Sequence, residues 1–380
     1  MSLTRAIRTV FQKPTQFTTS QNGQSHSTRL NGAQTEPQTR FLQSLGLLTG
    51  LGAGLASYAF LYEPFDVRLD TITIRLPRAR GRIPEEGLTI LHVSDSHFQG
   101  HDWRELPKVR RVRELTRHLQ PDLLIHTGDF WHKESGLANV LALLQALPRP
   151  RLASFAVLGN HDYTCYDMTK AVARMWRAFQ AEEQDRRNGH PSPRWKAPMK
   201  KADELLRFGK YVFNTPVEGK RTGRNNIGLL HDALERYGFQ LLHNRGVDLR
   251  QNLGGGKQLA LHIAGVDDYV EGEPDLAAAL GQAPDDAPTI LLSHNPDILQ
   301  EPGLERTDLI LAGHTHGGQI ALPFLGPLHT QAGHITRDQA AGHSRRERIQ
   351  LYINQGLGEG IPLRLGVPPQ LTWIQLLPED

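Results

Sequence analysis

The chain has a single cysteine, Cys165, in 380 residues. That excludes an intramolecular disulfide framework and any Cys-rich zinc or iron-sulfur site, so a bound metal must take oxygen and nitrogen ligands. No charge of one sign dominates. A formal net charge of +3 suits anionic headgroups or phosphorylated substrates but is too small to point to nucleic acid. Only one hydrophobic run is long enough to matter for a membrane, and disordered-type composition is confined to the N-terminus. Glycine (36) and proline (24) are plentiful, which implies many loops between elements. Hydrophobic residues at 38% and charged residues at 22% fit a globular chain, most economically one catalytic domain with added segments.

Residues 1–40 are rich in Gln, Thr, Ser and Asn and predict a disordered tail. Phe41 to Tyr62 contains no charged residue and would extend roughly 33 Å as a helix, about a bilayer core. It is expected to be a single-pass anchor, with Gly46, Gly50 and Gly54 on one pairing face and Tyr58 and Tyr62 near an interface. A cleaved signal sequence ending at Gly54-Leu55-Ala56 is the alternative, disfavoured by the long preceding tail. Arg29 and Arg40 precede the run and five arginines follow it closely, so the positive-inside count assigns no side.

Residues 63–380 read as the catalytic domain. Expected strands are Thr71 to Leu76, Leu88 to Ser94, Leu123 to Thr127, Ser154 to Leu158, Leu259 to Ala264, Ile290 to Ser293, Leu309 to Ala312, Ile349 to Asn354 and Leu371 to Leu376. Helical patterns cover Trp103 to His118 and Leu137 to Leu147, closed by Pro121 and Pro148. This alternation predicts an α/β sandwich whose ligands bind at strand C-terminal ends.

Those ends carry metal-binding residue types. Asp95-Ser96-His97, Gly128-Asp129 and Gly159-Asn160-His161-Asp162 follow three early strands. His294-Asn295 and Gly313-His314-Thr315-His316 follow two later ones. Any one of these is common by chance, but the ordered set is not. Mixed carboxylate, imidazole and amide donors suit Mn, Fe or Zn, and a carboxylate bridging two cations would activate a shared water for in-line attack on phosphorus.

This ordered set resembles the signature of the calcineurin-like metallophosphoesterase superfamily over roughly residues 86 to 378. The resemblance implies a four-layer α/β/β/α sandwich. It implies one metal held by Asp95, His97 and His316, a second by Asn160, His294 and His314, and Asp129 bridging them. It further implies His161 as general acid or transition-state donor, with Asp162 orienting its ring. Purple acid phosphatases carry a Tyr three residues after the bridging Asp; here that position is His132, so a tyrosinate-bound ferric centre is not implied. Gly356-Leu357-Gly358, Pro362 to Gln370 and Tyr62-Glu63-Pro64 are similar to the membrane-associated YaeI/YkuE-type bacterial phosphodiesterase branch. Some members of that branch cleave UDP-2,3-diacylglucosamine in lipid A synthesis, which makes a lipid-linked phosphate ester the implied partner and nucleic acid an unexpected one.

Against that branch, residues from about 167 to 226 form an insertion with a basic middle, including Arg186, Arg187, Arg194 and Lys196. A solvated surface excursion is the simpler reading; because the segment emerges beside His161, the specific expectation is a lid or membrane-facing lip that steers anionic headgroups. His132 and Asn244 are candidates to line the pocket, Tyr163 to floor it and Arg364 to bind phosphate, each read more readily as structural than catalytic, and Cys165 is expected to be a buried thiol. A non-catalytic membrane scaffold and a nuclease remain rival readings; the first is disfavoured by the intact motifs, the second by the lack of a continuous basic groove.

Overall fold

The computed structural model describes residues 47, 49–168, 171–189, 203–204, 207–208, 211, 219–254, 257–330 and 332–379. The chain divides into two compact units, Met1–Gly52 and Ala53–Asp380. In the first, residues 47 and 49–52 are helical. The expected tail 1–40 lies outside the described residues.

The second unit holds two six-stranded sheets. The first contains β1 (Arg68–Leu76), β2 (Leu88–Val93), β3 (Leu123–Thr127), β4 (Ala153–Val157), β7 (Phe239–Leu241) and β16 (Gln370–Pro378), ordered β1-β16-β2-β3-β4-β7. Only the β16–β2 pair is antiparallel. The second contains β8 (Arg245–Gly254), β9 (Lys257–Gly265), β10 (Thr289–Leu292), β11 (Leu309–Ala312), β14 (Gly342–Arg346) and β15 (Ile349–Ile353), ordered β14-β15-β11-β10-β9-β8, with antiparallel edges around a parallel centre. Two small ribbons complete the strands, β5 (Thr164–Asp167) with β6 (Lys220–Arg224) and β12 (Ala321–Leu322) with β13 (Gly326–Pro327).

The alternation of strand side chains explains the layering. In β3, Leu123 and Ile125 enter a core shared with Ile290 and Leu292 of β10 and Leu309 and Leu311 of β11, so the two sheets pack face to face. Leu124 points the other way, into a core with Val109 and Val112 of α1 (Glu105–Thr116), Val140 and Leu143 of α2 (Leu137–Ala146), and Leu230 and Leu234 of a later helix, Ile227–Arg236. Leu291 and Ile310 of the second sheet turn outward to a third core with Ala279 and Leu280, from a helix only five residues long. Central strands buried on both faces account for their unbroken apolar runs.

Of the expected anchor 41–62, residues 47 and 49–57 are helical, and 41–46 and 48 lie outside the described residues. No helix among the described residues is long and apolar enough to cross a membrane. Helix gives way to one π-turn at Tyr58–Tyr62 and a 3-10 turn at Glu63–Phe65, where Pro64 supplies no amide hydrogen. Ala59 O accepts from Arg364 N at 3.0 Å, and the buried Glu63 carboxylate accepts from Gly366 N at 2.9 Å. The last turn of the run is therefore tied to the catalytic domain. Of the expected insertion, residues 171–189, with Arg186 and Arg187 of its basic middle, form a helix and 220–224 pair with β5; the rest of that middle, 190–202, lies outside the described residues.

The two sheets share a clasp at their N-terminal edges. Asp122, just before β3, accepts from Thr89 N at the start of β2 at 2.8 Å and is gripped by Arg151. Asp308, just before β11, accepts from Thr289 N at the start of β10 at 2.7 Å and is gripped by Arg78. Each aspartate returns its own amide hydrogen to the threonine carbonyl. Charged hydrogen bonds of this kind contribute about 1.5 to 3 kcal/mol each. Asp308→Ala should lower unfolding stability by about that amount, read as a lower urea midpoint at an unchanged slope; an unchanged midpoint would show that the clasp contributes nothing.

Candidate metal centre

Five of the candidate ligands end strands with an unusual backbone. Asp95, His97, Asp129, His314 and His316 all have φ between 50° and 72°, in the left-handed region that L-residues avoid. Such positions persist only where surrounding contacts impose them, and they cluster at functional sites. Here the contacts are identifiable. Asp95 N donates to Gly128 O and His97 N to Asp129 O, both at 3.0 Å, while His314 N donates to both oxygens of the Asp95 carboxylate at 3.1 Å. Gly159 and Gly313 have no room for a Cβ, which would overlap Asp129 Oδ1 and Ser94 Oγ respectively.

The loops bring Asp95, His97 and His316 into one group whose ligand atoms lie within 4.8 Å of one another, and Asp95, Asp129 and His294 into another. Asp129 Oδ2 lies 3.3 Å from His97 Nε2 and 3.2 Å from His294 Nε2, between the two groups. His97 Nε2 and His316 Nε2 approach to 2.8 Å, and His314 Nδ1 and His294 Nε2 to 3.1 Å. His294 Nδ1 donates to Thr127 O at 2.7 Å, which fixes its tautomer and turns Nε2 into the centre. Asn160 Oδ1 is buried without a hydrogen-bond partner. Its neighbour His161 donates its backbone N–H to Asp129 Oδ1 at 2.8 Å, so the orphaned amide oxygen stands on the turn next to the bridging candidate, and a divalent cation would engage its lone pair.

Electrostatics point the same way. Burial pushes the imidazoles of His97 and His316 well below their usual pKa, so they are neutral with lone pairs free, as metal ligation requires, and burial lowers His161 beside them in the same direction. His294 differs: burial weighs on it, but the Asp129 and Asp95 carboxylates outweigh it and raise its pKa, so a cation binding there would displace a proton from Nε2.

His161 and Asp162 occupy the same turn in different ways. Asp162 was expected to orient the His161 ring, and its carboxylate instead serves the backbone. Its Oδ2 accepts from Asp129 N (2.8 Å) and Gly159 N (2.9 Å), and its Oδ1 from Phe130 N (2.8 Å) and Trp131 N (3.3 Å). The ring of His161 is held by His132, with the two Nδ1 atoms 2.6 Å apart. His132 Nε2 faces Glu359 O at 3.3 Å; a carbonyl only accepts, so His132 carries its hydrogen on Nε2 and receives one from His161 Nδ1. His132 also belongs to a third group of possible ligands with His97 and His161. Its place three residues past Asp129, on the same loop, was the only sequence signal for this contact.

A cavity of about 700 Å³ opens above the centre. Of the candidate ligands only His97 lines it, beside His132, Arg104, Lys108, Glu359 and Tyr166. Lys108 and Glu359 form a buried ion pair in its wall. Neither Arg104, Lys108 nor Tyr166 was singled out by sequence. Arg364 is no phosphate ligand in this arrangement: fully buried, it donates to Gln355 O, Gly356 O and Val367 O at 3.0 Å and pins its own loop. Asn244 and Tyr163 line a separate cavity, where the Tyr163 hydroxyl donates to Asp267 and Asn244 Oδ1 accepts from Asp267 N. Cys165 is half-buried rather than buried, its thiol donating to Asn225 Oδ1.

The sequence model described as Calcineurin-like phosphoesterase matches residues 88–318. UDP-2,3-diacylglucosamine pyrophosphatase LpxG of Chlamydia muridarum is 26% identical over 83% of this chain and 91% of its own length. Metallophosphoesterase YkuE of Bacillus subtilis is 26% identical over 86% of this chain and 90% of its own. The solved structure of TT1561 of Thermus thermophilus is 15% identical, with a TM-score of 0.33 over 72% of this chain and 92% of that one.

Each Asp162 oxygen accepts from two amides, so either orientation of an Asp162→Asn carboxamide leaves two N–H groups facing an NH2. The substitution should lower stability by about 2 to 4 kcal/mol and weaken Mn binding roughly 10- to 100-fold. Wild-type unfolding midpoint and Mn affinity, measured together, would contradict this role.

Proposed function

The chain belongs to the calcineurin-like phosphoesterase family, and from that premise we propose that it hydrolyses a phosphodiester or pyrophosphate at a dinuclear metal centre. The family and the donor clusters make it a metal-dependent hydrolase of phosphoester bonds. One observation carries the dinuclear reading: Asp129 Oδ2 stands at nearly equal distance from one imidazole of each donor group. On this reading Asp95, His97 and His316 hold one cation, Asn160, His294 and His314 the other, and Asp129 both. When bound, such a pair polarises the phosphoryl group and supplies an activated water.

The chain's own residues divide the remaining work. Asp162 fixes the Asp129 loop against the His161 turn, which keeps the bridging carboxylate in place as charge shifts on the substrate. His161, with Nδ1 committed to His132, presents Nε2 to the substrate; its ring is neutral in the free protein, so it serves as general acid only after an anionic substrate raises its pKa and Nε2 takes up the proton it then passes to the departing oxygen. Arg104 and Lys108 in the cavity wall are paired with Asp102 and Glu359, so the attraction for an anionic substrate would come from the bound cations rather than from the wall. Manganese, iron and zinc all suit this donor set.

The specific alternative is a UDP-2,3-diacylglucosamine pyrophosphatase, favoured by near full-length similarity to LpxG. A lipid-linked substrate also suits attachment at a membrane through residues 41–62, because confinement raises local concentration. A scaffold without activity is the reading to be excluded.

The test is turnover of a chromogenic phosphodiester, a monoester and UDP-2,3-diacylglucosamine by the full chain with Mn, before and after chelation. We expect chelator-sensitive diester turnover, with about two metal ions per chain by elemental analysis. Asp129→Asn should cut kcat by at least roughly 1,000-fold and lower metal content. A chain that binds no metal and turns over none of the three would be a scaffold.

A further inference from the structure

A second cavity of about 350 Å³ adjoins the catalytic one, and Gln99, Asp102, Arg104 and Pro362 line both. Its far side is apolar. Phe60, Leu61 and Trp103 line it with 42%, 61% and 65% of their surfaces exposed. Single exposed apolar residues are ordinary, but three around one cleft that runs into an active site are not. The cleft is also built rather than incidental. Phe65 packs on the Trp103 ring with centroids 5.1 Å apart, and the Ala59 and Glu63 contacts hold the π-turn on the loop whose Pro362 lines both cavities.

We infer that this cleft is a subsite for an alkyl chain of the substrate, whose phosphate lies at the metal end of the neighbouring cavity. The inference deepens the proposed phosphoesterase reading and rests on it. The occupant follows from continuity: a molecule spanning both cavities meets His97 of the proposed metal centre and a wall of paired charges at one end, and uncharged aromatic and aliphatic surface at the other. A long-chain phosphate ester has that polarity. A nucleotide or a sugar phosphate would leave Phe60, Leu61 and Trp103 in water.

The test uses the full chain in nanodiscs, loaded with Mn, and phosphodiesters whose alkyl group grows from methyl to dodecyl. For wild type kcat/KM should rise roughly threefold to fourfold per methylene until the cleft is filled. In the Leu61→Ser, Trp103→Ser double variant, both changes being at exposed positions, the dodecyl-to-methyl ratio of kcat/KM should fall at least about tenfold. A second readout needs no turnover: a brominated dodecyl phosphate should quench indole fluorescence saturably at one per chain, and Trp103→Phe should remove that component. No rise with chain length in wild type, or the same rise in the double variant, would overturn the subsite. So would a quench that grows without saturating, which reports partition into the bilayer, or self-association abolished by Trp103→Ser, which would give the cleft to a second copy. Failure to turn over any ester would count against the phosphoesterase reading alone, leaving the quench to decide the subsite.

Discussion

Four amide hydrogens meet on the carboxylate of Asp162, and the candidate centre depends on that meeting. Asp129 is a residue with positive φ on a buried loop, close to other acidic groups. Left to itself such a loop would relax toward an extended backbone and turn its carboxylate elsewhere. Burial and the nearby Asp129 charge push the Asp162 carboxyl above its usual pKa, and the four amides oppose that rise. The carboxylate accepts from three successive residues after β3 and from Gly159 after β4. It thereby converts two flexible connections into one rigid seat for Asp129.

Much of this arrangement was legible in the sequence. The apolar runs of β2, β3, β4, β10 and β11 stood out because central strands covered on both faces need no polar alternation. The loops after them could be read because their residue types are costly to bury without a purpose. Short β7, mostly polar β8 and edge strand β14 escaped notice, since an edge exposes one face and loses the pattern. The antiparallel place of β16 between β1 and β2 depends on pairing across nearly the whole chain, which no local window reveals. The role of Asp162 was misassigned for a related reason: a carboxylate next to a histidine suggests a side-chain dyad, whereas backbone amides leave no mark in sequence. Arg364, a phosphate-binding candidate read more readily as structural, is structural: its terminal nitrogens donate to carbonyls of its own loop.

The catalytic cavity has walls from parts of the chain far apart in sequence. Arg104 and Lys108 come from the start of α1, Tyr166 and Met168 from the ribbon at the base of the insertion, and Gly358 to Pro362 from the loop before β16. That last loop also receives the π-turn of residues 58–62. An apolar segment that reads as a simple tether is thus joined, through Ala59 and Glu63, to the rim of the active site. Length and hydropathy alone would separate the apolar run from the catalytic domain; the hydrogen bonds from Arg364 and Gly366 show a shared boundary.

The Thr–Asp clasps have a consequence for how such a protein can change. They lie at the strand beginnings, whereas the strained left-handed residues lie at the strand ends, so rigidity is generated on the side remote from the chemistry. Drift in the loops above can then reshape what the enzyme accepts while the sheets below keep their register. Pliancy and firmness occupy opposite rims of one scaffold, which leaves specificity free to diverge among relatives without each new variant having to solve the folding problem again.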